Sequence, residues 1–148
     1  MPTDLKIGII GGSGMEDPAF ISDYSSKMVS TPYGDPSSEL IIGKIADVPV
    51  AILSRHGPGH SINPTNVNYR ANIWSLKEEG CTHILAVTAC GSLRERIEPG
   101  HFVFPDQFID RTTKRISTYF DGPDVQHVSM GDPFSTELRN CLVRLVIS

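Results

Sequence analysis

The feature that most restricts the fold of this chain is a short apolar strand running straight into glycine. Lys6-Ile7-Gly8-Ile9-Ile10 is followed at once by Gly11-Gly12-Ser13-Gly14. β-Branched residues favour a buried extended segment, and glycine reaches backbone angles that a side chain forbids, so the chain turns sharply at the strand end. The same grammar recurs downstream. An apolar strand, Val48 to Leu53, opens into the polar loop Ser54 to Asn63. Another, His83 to Cys90, closes on Gly91-Ser92.

Between these last two strands the spacing predicts a helix. Asn63 suits its N-cap, and Pro64 suits the first helical position, where a missing N–H costs nothing. Val67, Tyr69, Ala71, Ile73, Trp74 and Leu76 form an apolar stripe at helical spacing, and Gly80 is placed to end the helix. Strand, helix and strand in this order imply a parallel βαβ arrangement. Glu39 to Ile45 reads as a strand joined to Val48–Leu53 by a hairpin at Asp47. His101 to Phe104 reads as a further strand after the Pro99-Gly100 turn. Gly122 to Asp132 is loop-like, and a last helix begins at the capping residue Ser135, with Leu138, Cys141, Leu142, Leu145 and Val146 on one face. The organisation is α/β.

Composition excludes several classes. The 148 residues are 39% hydrophobic and 20% charged, which fits one globular domain. A net charge of -4 offers no general basic face for nucleic acid. No stretch approaches the roughly 20 apolar residues that span a bilayer, and the start lacks the apolar core of a signal peptide, so the expected compartment is the cytosol. Cys81, Cys90 and Cys141 cannot all pair within one chain and form no CxxC motif, so no zinc site is expected. Cys90, ending an apolar run, reads as a buried reduced thiol.

The chemistry concentrates at the strand ends. The glycine cluster misses the dinucleotide fingerprint, because Asp17 stands where a third glycine is needed, and no Gly-Lys-Ser/Thr follows. It reads either as a plain tight turn or as a set of backbone N–H groups facing an anion, with the Ser13 hydroxyl beside them. Arg55 presents a fork of donors matched to phosphate, with His56 as a further donor, or else is a surface charge. Thr88 and Ala89 close the third strand, where small residues admit a ligand to the backbone. Ligands of open α/β sheets gather at the carboxyl ends of strands, so three such ends of one chemical character support one anion site. His56 and His60 are separated by Gly57-Pro58-Gly59, which does not hold the helical geometry of an HExxH metal site. Glu78-Glu79 reads as a solvated helix end, Trp74 as core, and Asp106 and His127 as isolated loop residues.

These segments resemble the methylthioadenosine phosphorylases. The likeness is carried by Ile7 to Gly14, Arg55-His56-Gly57, Asn66 to Trp74, Lys77 to His83, Thr88 to Arg94, Pro99-Gly100 and Asp106 to Thr112, in that order. Asp110-Arg111-Thr112 and Thr88-Ala89-Cys90 favour this branch over the 6-oxopurine nucleoside phosphorylases.

The resemblance implies the N-terminal part of a phosphorylase/hydrolase-like α/β/α fold with a twisted mixed central sheet. Residues 1–148 would then be one incomplete domain, the N-terminal half of a nucleoside phosphorylase. It implies a trimeric cytoplasmic pentosyltransferase of purine and methionine salvage. Inorganic phosphate is its co-substrate and a small-molecule nucleoside its substrate, with no other cofactor, no metal, no nucleic acid and no membrane. Ser13, Arg55, His56, Thr88 and Ala89 resemble the family's phosphate ligands, Ser13 standing where many relatives have Thr. His127 resembles a histidine that reaches the substrate's 5′ side from a neighbouring subunit. The groups that hold the purine and protonate the leaving base lie in the half of the family fold beyond this sequence, so no catalytic residue is assigned and slowed catalysis is expected. The alternatives are a non-catalytic short form that joins full-length subunits, and a phosphorylase of another purine preference.

Overall fold

The computed structural model describes residues 5–12, 15 and 20–147. Its elements are β1 (Ile7–Gly11), β2 (Ser22–Lys27), β3 (Leu40–Ile45), β4 (Val48–Ser54), α1 (Tyr69–Glu78), β5 (His83–Ala86) and α2 (Thr136–Ile147). The strands form one mixed sheet in the order β2-β3-β4-β1-β5. β1 runs parallel to both β4 and β5, while β2, β3 and β4 are antiparallel neighbours. The expected α/β class and mixed sheet are therefore present. So is the expected parallel relation of β4 and β5 across α1, with β1 inserted between them.

Residue alternation explains how the sheet is filled. Ala51 and Leu53 of β4 point to the face that also holds Ile10, Leu40 and Leu76 of α1. Val50 and Ile52 point the other way, to Ile9 and Ile21. This is the two-residue period of a strand with both faces covered. Gly8 lets α1 approach closely: a Cβ there would sit 3.2 Å from Leu76 Cδ1 and 3.3 Å from Cys81 Sγ. The β3–β4 hairpin turns through Ala46 and Asp47, both at positive φ (47° and 65°), the type I′ geometry that matches strand twist.

α1 starts later than the sequence predicts. Asn63 does cap, but only a single turn: its Oδ1 accepts from the backbone N–H groups of Thr65 and Asn66. The helix proper is capped by Asn68, whose Oδ1 accepts from Ala71 N while its Nδ2 donates to Tyr33 O and Asp35 O. An asparagine that can satisfy a helix end and two loop carbonyls together outcompetes one that serves only a turn. At the other end Gly80 (φ 81°) behaves as expected: Gly80 N donates to Lys77 O and Cys81 N to Leu76 O, a Schellman ending. Within α1, Asn72 is buried and tied to Ser37 by two bonds, and Trp74 is half-buried, edge-on to Tyr33.

Other expectations are corrected. β2 is an edge strand of exposed polar residues, Ser-Asp-Tyr-Ser-Ser-Lys, with no apolar alternation to announce it. β5 ends at Ala86, and His83 to Cys90 is not a fully buried strand; Cys90 is exposed. β5 lies at the sheet edge among the described strands, so it lacks the second ladder that would carry pairing onward. Glu79 is not a solvated end. Its side chain is only 12% exposed and pairs with Lys6 at 2.6 Å and Lys27 at 2.7 Å. Burial pushes the Glu79 carboxyl up, but bonds to Lys27 and Lys6 and their charges outweigh it and leave its pKa below the ordinary 4.5. Beside it, burial pushes the Cys81 thiol up, an inert environment for sulfur.

The chain divides into two compact units, the first reaching to Ala89 and including Lys114–Thr118, the second made of Cys90–Thr113 and the residues from Tyr119 onward. The first holds the sheet and α1. In the second, α2 is the regular element, capped by Ser135 as expected, Ser135 Oγ accepting from Leu138 N. His101 to Phe104 is not a strand: no described segment of this unit offers it a ladder.

Candidate functional site

The parallel register brings three strand ends side by side. Gly11 pairs with Ser54 and Ile10 with Ala86, so the residues that follow each strand emerge on one edge. Arg55 N donates to Gly11 O and Val87 N to Ile10 O, extending both ladders by one residue. Gly12, Arg55 and Thr88 are thereby delivered to one place by backbone pairing.

Arg55 organises this edge. Its Nη1 donates to Val87 O at 3.0 Å, its Nη2 to Thr88 Oγ1 at 3.2 Å and its Nε to His56 Nε2 at 3.3 Å. A Cβ on Gly12 would sit 3.4 Å from Nη2, so Gly12 lies against the guanidinium. One N–H on each of Nη1 and Nη2 is left without a partner among the described residues. Two such N–H groups on a planar cation can receive two oxygens of an oxyanion. Thr88 Oγ1, accepting from Arg55, keeps its own proton, which has a weak 3.4 Å outlet to Ala89 O.

His56 is held from both sides. An arginine Nε only donates, so His56 Nε2 accepts and the ring proton sits on Nδ1, donated to Ile62 O at 2.9 Å. The loop after β4 makes this contact by curling back: Gly57 N reaches Ser54 O and Ile62 N reaches His56 O. Gly57 (φ 71°) is needed there, since a Cβ would crowd Ile62 Cδ1, Ser37 O and Ser61 Oγ at 3.1 Å each. The same curl stacks the His60 ring on His56, centroids 5.7 Å apart at 20°.

Of the residues singled out in the sequence, Arg55, His56 and Thr88 come together, with Ala89 adjacent and exposed. Ser13 lies outside the described residues. His127 is exposed in an irregular segment of the second unit. The Val87 and Ile62 carbonyls that fix Arg55 and His56 were not legible in the sequence, because backbone acceptors carry no residue signature. Gly12 was signalled by the glycine cluster.

The chain is similar to known proteins over most of its length. Residues 6–147 match the profile of the phosphorylase superfamily. The S-methyl-5'-thioadenosine phosphorylase of Danio rerio is 56% identical over 146 residues, covering 95% of this chain and 52% of that protein. The one from Xenopus tropicalis is 57% identical over 145 residues, covering 94% and 52%. Among solved structures, methylthioadenosine phosphorylase from Schistosoma mansoni in apo form superposes with a TM-score of 0.88 at 48% identity, covering 95% of this chain and 52% of that one. One from an antarctic soil metagenomic library gives 0.90 at 45% identity, covering 95% and 49%. The chain spans about half the length of the relatives it matches.

Proposed function

Because the chain belongs to the phosphorylase superfamily, we propose that it carries the phosphate-holding half of a methylthioadenosine phosphorylase. Inorganic phosphate is the co-substrate. Arg55, Thr88, the Ala89 backbone, Ser13 and, after a change of hydrogen-bond partner, His56 are its ligands. The observation that carries this reading is the convergence of Arg55, His56 and Thr88 at the ends of three adjacent parallel strands.

In the reaction, the bond between the ribose anomeric carbon and adenine breaks with its electron pair going to the base, which takes up a proton. A phosphate oxygen forms the new bond to that carbon, giving 5-methylthioribose 1-phosphate. Cleavage runs ahead of attack, so cationic charge builds on the ring. A dianion pinned beneath it both offsets that charge and captures the carbon. His127 belongs, by resemblance, to the 5′ side of a neighbouring subunit's substrate in a cytoplasmic trimer. The 148 residues alone turn over slowly, since general acid assistance to the leaving base, worth about 10²–10⁴-fold, is assigned to the other half of the family fold.

The experiment is phosphate-dependent adenine release from methylthioadenosine, with a no-phosphate control and Arg55→Ala. Slow release that needs both phosphate and Arg55 is expected. Release indifferent to Arg55→Ala removes this site from the reaction.

A second reading is favoured by the apolar side chains exposed in the second unit, Phe102 and Leu145 among them: a non-catalytic chain that joins full-length subunits. Mixing it with a full-length relative and measuring mass separates the two.

A further inference from the structure

α1 carries a polar residue where its core-facing side should be apolar. Asn72 is buried together with Ala71, Ser75 and Leu76. A buried amide costs free energy unless its polar atoms are paired, and an apolar residue would fill this position without that demand. Asn72 meets it through Ser37: its Oδ1 accepts from Ser37 N at 2.7 Å and its Nδ2 donates to Ser37 Oγ at 3.0 Å. One turn earlier on the same helix face, Asn68 Nδ2 donates to Tyr33 O and Asp35 O. Two asparagines of α1 therefore hold the segment that precedes β3.

That segment reaches the end of β4. The β3–β4 ladder runs only as far as Leu40 opposite Leu53. Backbone donors alternate along a strand, so Arg55 N serves β1, donating to Gly11 O, while Ser54 N faces the β3 side beyond the last backbone pair. Ser38 Oγ fills the gap: it accepts from Ser54 N at 3.0 Å and donates its own proton to Glu39 O at 2.8 Å. Ser37 O packs against the same corner, 3.1 Å from where a Gly57 Cβ would stand. Ser54 and Gly57 bracket Arg55 and His56, so Ser37 and Ser38 brace the backbone of that pair before and after it.

We infer that Ser38 and Asn72 are positioning residues for the Arg55–His56 pair, acting through Ser54 and Gly57 rather than on the ligand. The inference rests on the reading of that pair as phosphate-holding. Ser38 completes the β4 ladder with a side chain, and Asn72 fixes the adjoining Ser37 to α1. Without them β4 loses its last bond on the β3 side. The strand end that aims Arg55 at Val87 O and Thr88 Oγ1 is then free to fray.

The test follows two signals in the 148-residue chain. One is affinity for inorganic phosphate; the other is the NMR resonance of the Arg55 Nε–H and its exchange with water in the absence of ligand. Ser38→Ala is expected to weaken phosphate binding about 3–10-fold, as the loss of one hydrogen bond would give. It should also speed Nε–H exchange, as the bond to His56 Nε2 loosens. Ser38→Thr, which keeps the hydroxyl, should restore both signals. Asn72→Ala should act in the same direction, and the half-buried Ser38 decides the matter should Asn72→Ala not fold. The inference is overturned by unchanged affinity in Ser38→Ala, by equal losses in Ser38→Ala and Ser38→Thr, or by weakened binding with Nε–H exchange unmoved. A parent chain that binds no phosphate overturns the proposed function instead, and the ligand-free Nε–H signal then decides whether Ser38 positions Arg55.

Discussion

Arg55 Nε donates to His56 Nε2 at 3.3 Å while His56 Nδ1 donates to Ile62 O at 2.9 Å, so the imidazole locks the guanidinium by accepting from it. With Nη1 on Val87 O and Nη2 on Thr88 Oγ1, the arginine is oriented before any ligand arrives. Preorganised donors bind an anion without first paying to order a long side chain.

Removing the guanidinium removes both of the remaining Nη N–H groups. Arg55→Ala is expected to weaken phosphate or sulfate binding by about 10–100-fold, from roughly 1.5–3 kcal/mol for a charge-assisted bond. Calorimetric titration of phosphate checks this; unchanged affinity removes Arg55 from the site.

His56→Ala takes away both the acceptor that orients Arg55 and the ring proposed to turn to phosphate, but leaves the Arg55 charge, so a smaller loss is expected, about 3–10-fold. His56→Gln, which keeps an acceptor and a donor on one side chain, should recover part of it. Equal loss in both variants would mean that the ring itself, not its acceptor nitrogen, is what binding needs.

Glu79 joins the end of α1 to Lys6 before β1 and Lys27 at the end of β2. Its position at a helix C-terminus is unfavourable to an anion by itself, and the two lysines reverse that. Its folded pKa lies below the ordinary 4.5, so its stabilisation is complete above the unfolded value and is lost as pH falls through the folded one. Glu79→Gln is expected to cost about 1 kcal/mol at neutral pH, with the difference from the parent shrinking as pH falls below the ordinary 4.5 and vanishing below the folded value. Urea melts at several pH values test it. A cost that stays constant into acid would show that shape, not charge, is what Gln fails to supply.

Ala46 occupies the left-handed region at φ 47° in the β3–β4 turn. That conformation costs an L-residue roughly 1–2 kcal/mol, part of which glycine gives back as unfolded-state entropy. Ala46→Gly is therefore expected to stabilise by about 0.5–1 kcal/mol, raising Tm by about 2 °C. A lower Tm would mean that the turn relaxes by another route.

What could be read from the residues follows from how local each signal is. β1, β3, β4 and their hairpin were legible because apolar alternation and turn chemistry lie within a few positions of one another. The candidate site was legible as three strand ends, of which the parallel register shows the proximity. Glu79 was misread because its partners are 73 and 52 positions away, and a Lys-Glu-Glu run carries no trace of distant lysines. The start of α1 was misplaced because Asn63 and Asn68 are the same residue type, and only the Tyr33 and Asp35 carbonyls decide between them. Cys90 and His101–Phe104 failed for one reason: an apolar run is a strand only where a neighbouring ladder receives it.

The second unit bears on how the protein behaves in solution. Ile109 is 89% exposed, Phe102 73% and Leu145 68%, and an open groove of about 470 Å³ runs among Ile97, Phe102, Phe104 and Val146. Soluble monomers rarely leave contiguous apolar surface of this kind uncovered, because each exposed large side chain forgoes roughly 1.5–3 kcal/mol of burial. α2 shows the same deficit: its apolar face, regular in sequence, is at best half-buried at Leu138 and Leu142. The 148-residue chain is therefore expected to self-associate or to bind an apolar dye strongly, and Phe102→Ser with Leu145→Gln should reduce both without altering phosphate binding at Arg55. Light scattering and dye fluorescence measure this directly. A sharp monomeric peak with no dye binding and a cooperative thermal transition would mean that these side chains are sheltered in solution, and the reading of the second unit as an uncovered surface would be withdrawn.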